Sequence, residues 1–169
     1  MPLTAVAFNC TLKRSPEPSS CGLLLAHFAA ELEKAEIPCE IVRVADFDVK
    51  PGVSSDEGEG DEWPGLREKV LDADIFVMGT PIWLGHPSSI CQRVLERFDA
   101  FLSEEDDSGR MITYDKVAVC AVVGNEDRGA PRERRGLPGT RRRRLHDPRQ
   151  RRRLLDRRGI RCRRLQGLR

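Results

Sequence analysis

The chain has 169 residues, enough for one domain with a real core and short for two. Its net charge of +2 hides two parts of opposite sign: residues 1–127 carry 11 Lys+Arg against 24 Asp+Glu, a net −13, whereas residues 128–169 carry 18 Arg, no Lys and 3 acids, a net +15. An acidic front body argues against nucleic acid as its partner, and no apolar run reaches the roughly 18 residues of a membrane span.

Residues 3–9 form a short apolar run with no basic segment ahead of it, which reads as a first strand and not as a signal peptide. The loop 9–18 holds two prolines and cannot be helical. Ser19 or Ser20 then caps a helix to about Glu36, with Leu23, Leu24, Phe28, Leu32 and Ala35 on one face. Residues 40–44 alternate as a second strand, and the acidic, Gly-rich stretch 46–62 is a loop. Pro64 opens a short helix over 66–71. Residues 74–80 read as a strand buried on both faces. A polar loop follows over 81–87, and Ser88 starts a helix to about Leu102 with Val94, Leu95, Phe98 and Leu102 inward. Residues 116–123 are a fourth apolar strand, ending at Gly124.

Short apolar strands alternating with amphipathic helices predict an α/β doubly wound parallel sheet. Ligands of such sheets lie at the carboxyl ends of the strands. Three loops fall there, and the polar residues of the chain cluster in them. The first carries Thr11, Lys13, Ser15, Ser19 and Ser20, whose hydroxyls, together with a helix N-terminus, suit a monophosphate. It lacks GxGxxG and GxxxxGK[ST], so neither a dinucleotide fingerprint nor a P-loop is present; an ordinary capped turn is the alternative. The second loop places Ile82, Trp83 and Leu84 together, as a flat aromatic ligand or a partner subunit would require, unless Trp83 is simply core. His86 reads equally well as a solvated side chain. The third loop, Gly124-Asn125-Glu126-Asp127, allows close backbone approach or is a plain turn. The cysteines (Cys10, Cys21, Cys39, Cys91, Cys120, Cys162) show no CxxC spacing and read as free thiols of a cytoplasmic protein; no metal site is expected.

The stretch Gly79-Thr80-Pro81-Ile82-Trp83-Leu84-Gly85 with Cys91-Gln92-Arg93-Val94-Leu95-Glu96-Arg97, together with Asn9–Ser20 and Val123-Gly124-Asn125-Glu126-Asp127, resembles the flavodoxin-like NADPH-dependent FMN reductase family over residues 3 to about 130. The resemblance implies a flavodoxin-type sheet of strand order 2-1-3-4. It implies FMN held by its phosphate on Thr11, Lys13, Ser19 and Ser20. Pro81, Ile82, Trp83, Leu84 and Gly85 would line the isoalloxazine ring, and Gly124, Asn125 and Glu126 would contribute from the third loop. NAD(P)H would be the co-substrate, and a quinone, flavin or similar small molecule the electron acceptor. No side-chain acid or base is nominated as catalytic. The apolar second loop is compatible with a homodimer. Two other readings are an electron carrier of flavodoxin type, which the acidic body would suit, and a receiver-type signalling domain, which needs carboxylates where this chain has Asn9 and Cys10.

Beyond Asp127 the resemblance ends, so the domain reads as 1–127 and incomplete, with its fifth strand and flanking helices missing, followed by an Arg-rich segment at 128–169. An arginine-flooded, lysine-free stretch is what GC-rich DNA yields when read out of frame, since selection for charge would mix both residues, as the front part does. Shifting forward by one nucleotide fixes the first and third letters of nearly every new codon and leaves the middle one to choice. With allowed choices, residues 131–160 re-read as His-Val-Ser-Ala-Glu-Val-Tyr-Gln-Ala-Leu-Asp-Asp-Val-Gly-Phe-Thr-Ile-Pro-Ala-Asn-Ala-Gly-Val-Tyr-Trp-Thr-Gly-Glu-Ala, an amphipathic helix followed by a β-rich stretch. The alternatives are a disordered extension and a basic arm for RNA or membrane. A frameshift predicts a poorly folding chain with weak FMN binding, because several buried side chains worth about 1.5–3 kcal/mol each are lost against a total of about 5–15 kcal/mol.

Overall fold

The computed structural model describes residues 2–124 and the backbone of a strand at Arg161–Arg164. Asn125, Glu126 and the rest of the Arg-rich segment lie outside the described residues, as do the readings made for them.

The first strand, β1 (Ala5–Asn9), is buried at all five positions, as its unbroken apolar run requires. Ser19 caps α1 (Ser20–Glu33), its side chain accepting from the Gly22 N–H at 2.9 Å. The helix stops three residues earlier than the periodicity implies. Ile37 N–H reaches back to Leu32 O and Glu36 N–H to Glu33 O, a Schellman closure with Glu36 in the left-handed conformation at φ 59°. Its inward face also differs from expectation: Cys21 and Leu25 are buried, with Leu24 and Phe28 beside them, while Leu23 is exposed.

The second strand, β2 (Cys39–Arg43), leads through a 3₁₀ turn at Val44–Asp46 into the acidic loop, and α2 spans Trp63–Asp72. The third strand is longer than its apolar core suggests: β3 (Ile75–Trp83) pairs back on the two-residue β4 (His86–Pro87) through a tight hairpin. The expected polar loop is therefore largely strand. Ser88 caps α3 (Ser89–Arg97), and a 3₁₀ turn at Phe98–Leu102 replaces the expected last helical turn. Val94 and Phe98 face inward as expected, but Leu95 and Leu102 are exposed, and Arg97 and Phe101 are buried in their place. The last apolar strand is β5 (Val117–Val123).

The sheet order is β2-β1-β3-β5, all parallel, the flavodoxin-type order that the resemblance implied with β5 as its fourth parallel strand. Beyond β5 the backbone of β6 (Arg161–Arg164) pairs antiparallel with Val117–Cys120, where the sequence led us to expect the sheet to stop. Two apolar layers flank the sheet. On one face α1 packs through Cys21 and Leu25 onto Ala7, Val77, Val119 and Ala121. On the other, α2 and α3 cover Val6, Phe8, Phe76 and Met78. There the rings of Phe8, Phe76, Phe98 and Trp63 form a chain of contacts with centroids 5.1–6.4 Å apart.

Arg97 ties the acidic loop to this second layer. Its side chain and that of Asp61 are both fully buried, 2.7 Å apart as an ion pair and not a well-aligned hydrogen bond. Arg97 also donates to Ser54 O and Lys50 O, each at 3.0 Å, and lies over the Trp63 ring. Burial works to raise the Asp61 carboxyl, but N–H donors from Glu57 and Lys50, the Arg97 guanidinium and the Trp63 N–H outweigh it and hold the group below its ordinary value.

Two consequences are measurable by urea unfolding of the purified chain. Arg97→Ala strands a buried carboxylate and lowers the unfolding free energy by about 3–5 kcal/mol. The Asp61 contribution is complete at neutral pH and is lost as pH falls through the depressed folded value, so Asp61→Asn flattens the fall in stability below about pH 4. Gly79→Ala, in turn, places a methyl 2.7 Å from Leu25 Cδ1 and costs about 1–3 kcal/mol by overpacking.

Candidate functional site

The parallel register brings the carboxyl ends of the strands to within four residues of one another. Asn9 lies opposite both Arg43 and Gly79, Gly79 opposite Ala121, and Pro81 opposite Val123. All three turns singled out from the sequence therefore leave the same edge of the sheet. Hydrogen bonds bind the first to the second. Cys10 N–H donates to Gly79 O at 2.9 Å, Ser88 Oγ donates to Cys10 O at 2.6 Å, and Ser88 N–H donates to Thr80 Oγ1 at 3.2 Å. Ser88 also accepts from the Cys91 N–H at 3.1 Å, so one buried hydroxyl caps α3 and anchors the first loop. Gly124, where the third turn begins, lies against the second: a Cβ on it would sit 3.3 Å from Ile82 Cβ.

Within the first loop the nominated residues divide by role. Thr11 is buried; its N–H donates to Asn9 Oδ1 and its Oγ1 accepts from Lys13 N–H, so it shapes the loop. Lys13 is exposed and its ammonium reaches Pro18 O at 3.2 Å, which carries the charge back toward the start of α1. Ser19 is the helix cap, and exposed Ser20 is the first helical residue. The first-turn N–H groups of a helix have no intrahelical acceptor, so the positive end of α1 opens here.

Two residues, Arg43 at the end of β2 and Asp46 in the 3₁₀ turn after it, hold this loop in shape and were missed in the sequence. Asp46 accepts from Ser15 N–H at 2.8 Å and Ser15 Oγ at 2.6 Å, and Arg43 donates to Arg14 O and Glu17 O at 3.1 and 2.7 Å. The Ser15 hydroxyl and N–H hold the exposed Asp46 carboxyl below its usual value. Their signal was positional: both stand where the second strand ends, at the edge where the ligand loops gather. Beside them, toward β2, a cleft of about 500 Å³ is lined by Asn9, Ser15, Ser19, Gly22 and Arg43. A Cβ on Gly22 would lie 3.0 Å from Asn9 Nδ2, so the glycine leaves the amide open to the cleft.

The second turn is a two-residue hairpin with Leu84 at φ 51° and Gly85 at φ 80°, the positive-φ pair of a type I′ turn, and Leu84 bears the strain of a non-glycine residue there. Pro81 and Ile82 are half-buried, whereas Trp83 is 57% and Leu84 86% exposed. Trp83 is thus not a core residue; the buried tryptophan is Trp63. His86 is exposed on the hairpin. Beneath the loops, buried Cys10 lies 3.6 Å from Met78 Sδ. Its hydrogen bond to Cys91 and its burial push its thiol far above the usual range, so it is an inert packed group. Cys21 and Cys91 are buried too, Cys39 is half-buried and Cys120 is exposed; among the described residues all are free.

The carboxyl end of the sheet thus offers a positive helix end with hydroxyls and an ammonium and, on the hairpin that leaves the same end, an exposed aromatic. That combination can hold a phosphate at one end and a flat ring at the other. Among the described residues no group of three or more His, Cys, Asp or Glu side chains is placed to hold a metal ion, and no helix is long and apolar enough to cross a membrane.

A family model described as NADPH-dependent FMN reductase matches residues 4–135. The chain is 37% identical over 136 residues to the 8-demethyl-8-aminoriboflavin-5′-phosphate synthase of Streptomyces davaonensis, covering 75% of this chain and 53% of that protein. A crystal structure of RosB with bound 8-demethyl-8-formylriboflavin-5′-phosphate is similar at a TM-score of 0.67 and 35% identity, over 74% of this chain and 53% of that one. Identity reaches 39% over 129 residues with the divalent metal cation transporter MntH of Mycobacterium bovis, covering 74% of this chain but 19% of that protein. The chain therefore spans about half the length of the flavin-related relatives and a fifth of the transporter. The matched segment runs from β1 past the end of β5 and takes in all three turns, and on that ground the chain belongs to the NADPH-dependent FMN reductase family.

Proposed function

We propose that this chain is an FMN-dependent oxidoreductase that takes electrons from NAD(P)H and delivers them to a quinone, a flavin or a similar small acceptor. The observation that carries the reading is that the exposed Trp83–Leu84 hairpin tip and the capped N-terminus of α1 both lie at the carboxyl end of the same parallel sheet. The crystal structure most useful for comparison holds a riboflavin phosphate derivative, which makes a phosphorylated flavin the natural ligand class.

The residues fit that group. The positive end of α1, the Ser19 and Ser20 hydroxyls and the Lys13 ammonium offset a phosphate dianion. Thr11, together with Arg43 at the end of β2 and Asp46 in the turn after it, holds the loop open for it. Trp83 and Leu84 cover a planar ring and keep water from it, with Pro81, Ile82 and Gly85 forming the stem of the hairpin. Gly124, bare beside Ile82, leaves backbone free for close approach, and Asn125 and Glu126 follow it in the chain. FMN, when bound, supplies the hydride and electron chemistry itself. The protein's part is positioning and electrostatics, and no ionisable side chain is required at the reacting atoms. A cytoplasmic setting agrees with the free cysteines.

FMN titration followed by flavin fluorescence tests the reading on the full chain. Saturable but weak binding is expected, as an incomplete domain implies. Trp83→Ala removes a stacking contact worth about 0.5–1.5 kcal/mol and weakens affinity up to about tenfold. Asp46→Asn loosens the loop and weakens FMN more than it weakens riboflavin, because only FMN carries the phosphate. Anaerobic NADPH bleaches the bound flavin; binding without bleaching would make the chain an electron carrier, and absence of FMN binding would overturn the reading.

A further inference from the structure

The β5 strand has one well-packed face and one bare one. Val119 and Ala121 are buried against the α1 layer, while on the opposite face Ala118 is half-buried, Cys120 is exposed and Val122 is 48% exposed. By register these three lie beside Phe76, Met78 and Thr80, so the bare strip continues the apolar layer under α2 and α3. Leu95 and Leu102, on α3 and the turn after it, are exposed as well.

Crossover handedness says what belongs there. From β1 the chain moves one way across the sheet to β2, with α1 on one face; from β3 it moves the opposite way to β5, with α3 on the other. Parallel crossovers are right-handed in nearly all cases. A chain continuing past β5 in the same direction must place its next helix on the α3 face, over Ala118, Cys120 and Val122. The occupant is therefore an amphipathic helix immediately following β5. The segment that follows is instead one with 18 Arg, no Lys and 3 acids in 128–169. The family match ends at residue 135, and the flavin-related relatives are about twice as long as the matched stretch.

We propose that the Ala118–Cys120–Val122 face of β5 is the seat of a crossover helix that the gene encodes one nucleotide out of frame, so that the Arg-rich segment 128–169 is translated from the wrong frame. In the shifted frame, with the middle letter of each codon left to choice, one permitted reading after β5 is the helix Val-Ser-Ala-Glu-Val-Tyr-Gln-Ala-Leu-Asp-Asp-Val, from residue 132 on. Its Val, Val, Leu and Val side chains recur at helical spacing, and its Glu and Asp residues leave the acidic character of residues 1–127 unbroken. The inference stands apart from the flavin reading, since it rests on strand faces, handedness and coding, and its test contains no flavin.

Cys120 reports on the seat directly. The full chain and a version whose gene lacks one nucleotide at the Arg128 codon are treated with N-ethylmaleimide, and each cysteine is followed by peptide mass spectrometry. In the present chain Cys120 labels readily while Cys10 and Cys91 stay protected. In the frame-restored chain Cys120 labels at least about tenfold more slowly, because a covered thiol reacts only from opened states. Equal labelling of Cys120 in two chains that both protect Cys10 and Cys91 overturns the proposal. So does protection in the present chain that grows with its concentration, which would make a second copy the occupant. Should the restored chain not fold, the gene's nucleotide sequence decides: a stop codon or a non-helical sequence in the shifted frame after Asp127 also overturns it.

Discussion

Everything at the candidate site depends on the in-register β1–β3–β5 ladder. Asn9, Gly79 and Ala121 stand abreast; β1 ends at that level, β5 two residues and β3 four residues beyond it, so the loop after β1 starts against β3 and Gly124 comes up beside Ile82. Gly79 is what allows the ladder to carry α1 so closely, because Leu25 fills the space its Cβ would occupy. The carbonyl of the same glycine receives the Cys10 N–H that starts the first loop. One backbone position thus sets both the packing of α1 and the departure point of the loop that its N-terminus faces.

From that end of the sheet, polar groups of the scaffold hold the loops so that polar groups of the site are left for a ligand. Ser88, Asn9, Asp46 and Arg43 satisfy backbone N–H and C=O groups of the first loop. Each bond is worth only about 1 kcal/mol net, but together they fix the conformation that presents Lys13, Ser19 and Ser20. The Arg97–Asp61 pair works at a larger scale and deeper. It is weak evidence for net stability, since desolvating two charges offsets most of their attraction. Its effect is to specify one path for a long acidic loop that has few apolar residues of its own to bury.

The fold was readable from sequence wherever apolar pattern decides it. The runs over 3–9, 74–80 and 116–123 became the central strands, and the alternation of strands and helices implied the sheet order through its resemblance. What escaped was decided by contacts distant in sequence. Arg97 was not among the residues read as inward on α3, and only Asp61 and the carbonyls of Lys50 and Ser54, far back in the chain, make it a core residue. Leu23 and Leu95 looked inward because periodicity defines a stripe but not its edge. The residues over 81–87 looked like a polar loop, because a type I′ turn built on Leu84 instead of Asn or Asp lacks the usual signature. Of the candidate site, the residues proposed to face the ligand stood out by their chemistry. The residues that hold them did not, because Asp46 and Arg43 are ordinary surface types until the fold brings β2 beside the first loop.

The outer side of β5 separates two requirements that a strand usually meets together. Its edge needs hydrogen-bond partners, and main-chain pairing is almost indifferent to side chains, so Arg161–Arg164 can run antiparallel along Val117–Cys120 even though its sequence reads nothing like a core strand. Its face needs apolar cover, and that demand is specific: arginine stems can shield some apolar surface, but their heads seek water and carboxylates. The Coulomb attraction between a net +15 segment and a net −13 body is long-ranged and unspecific. Coulomb attraction and backbone pairing can therefore occupy the edge, while only a helix with an apolar stripe can close the face. Val122 and Cys120 remain exposed on a strand whose inner neighbour β3 is buried on both faces from Phe76 to Thr80, the asymmetry that the proposed loss of frame would leave.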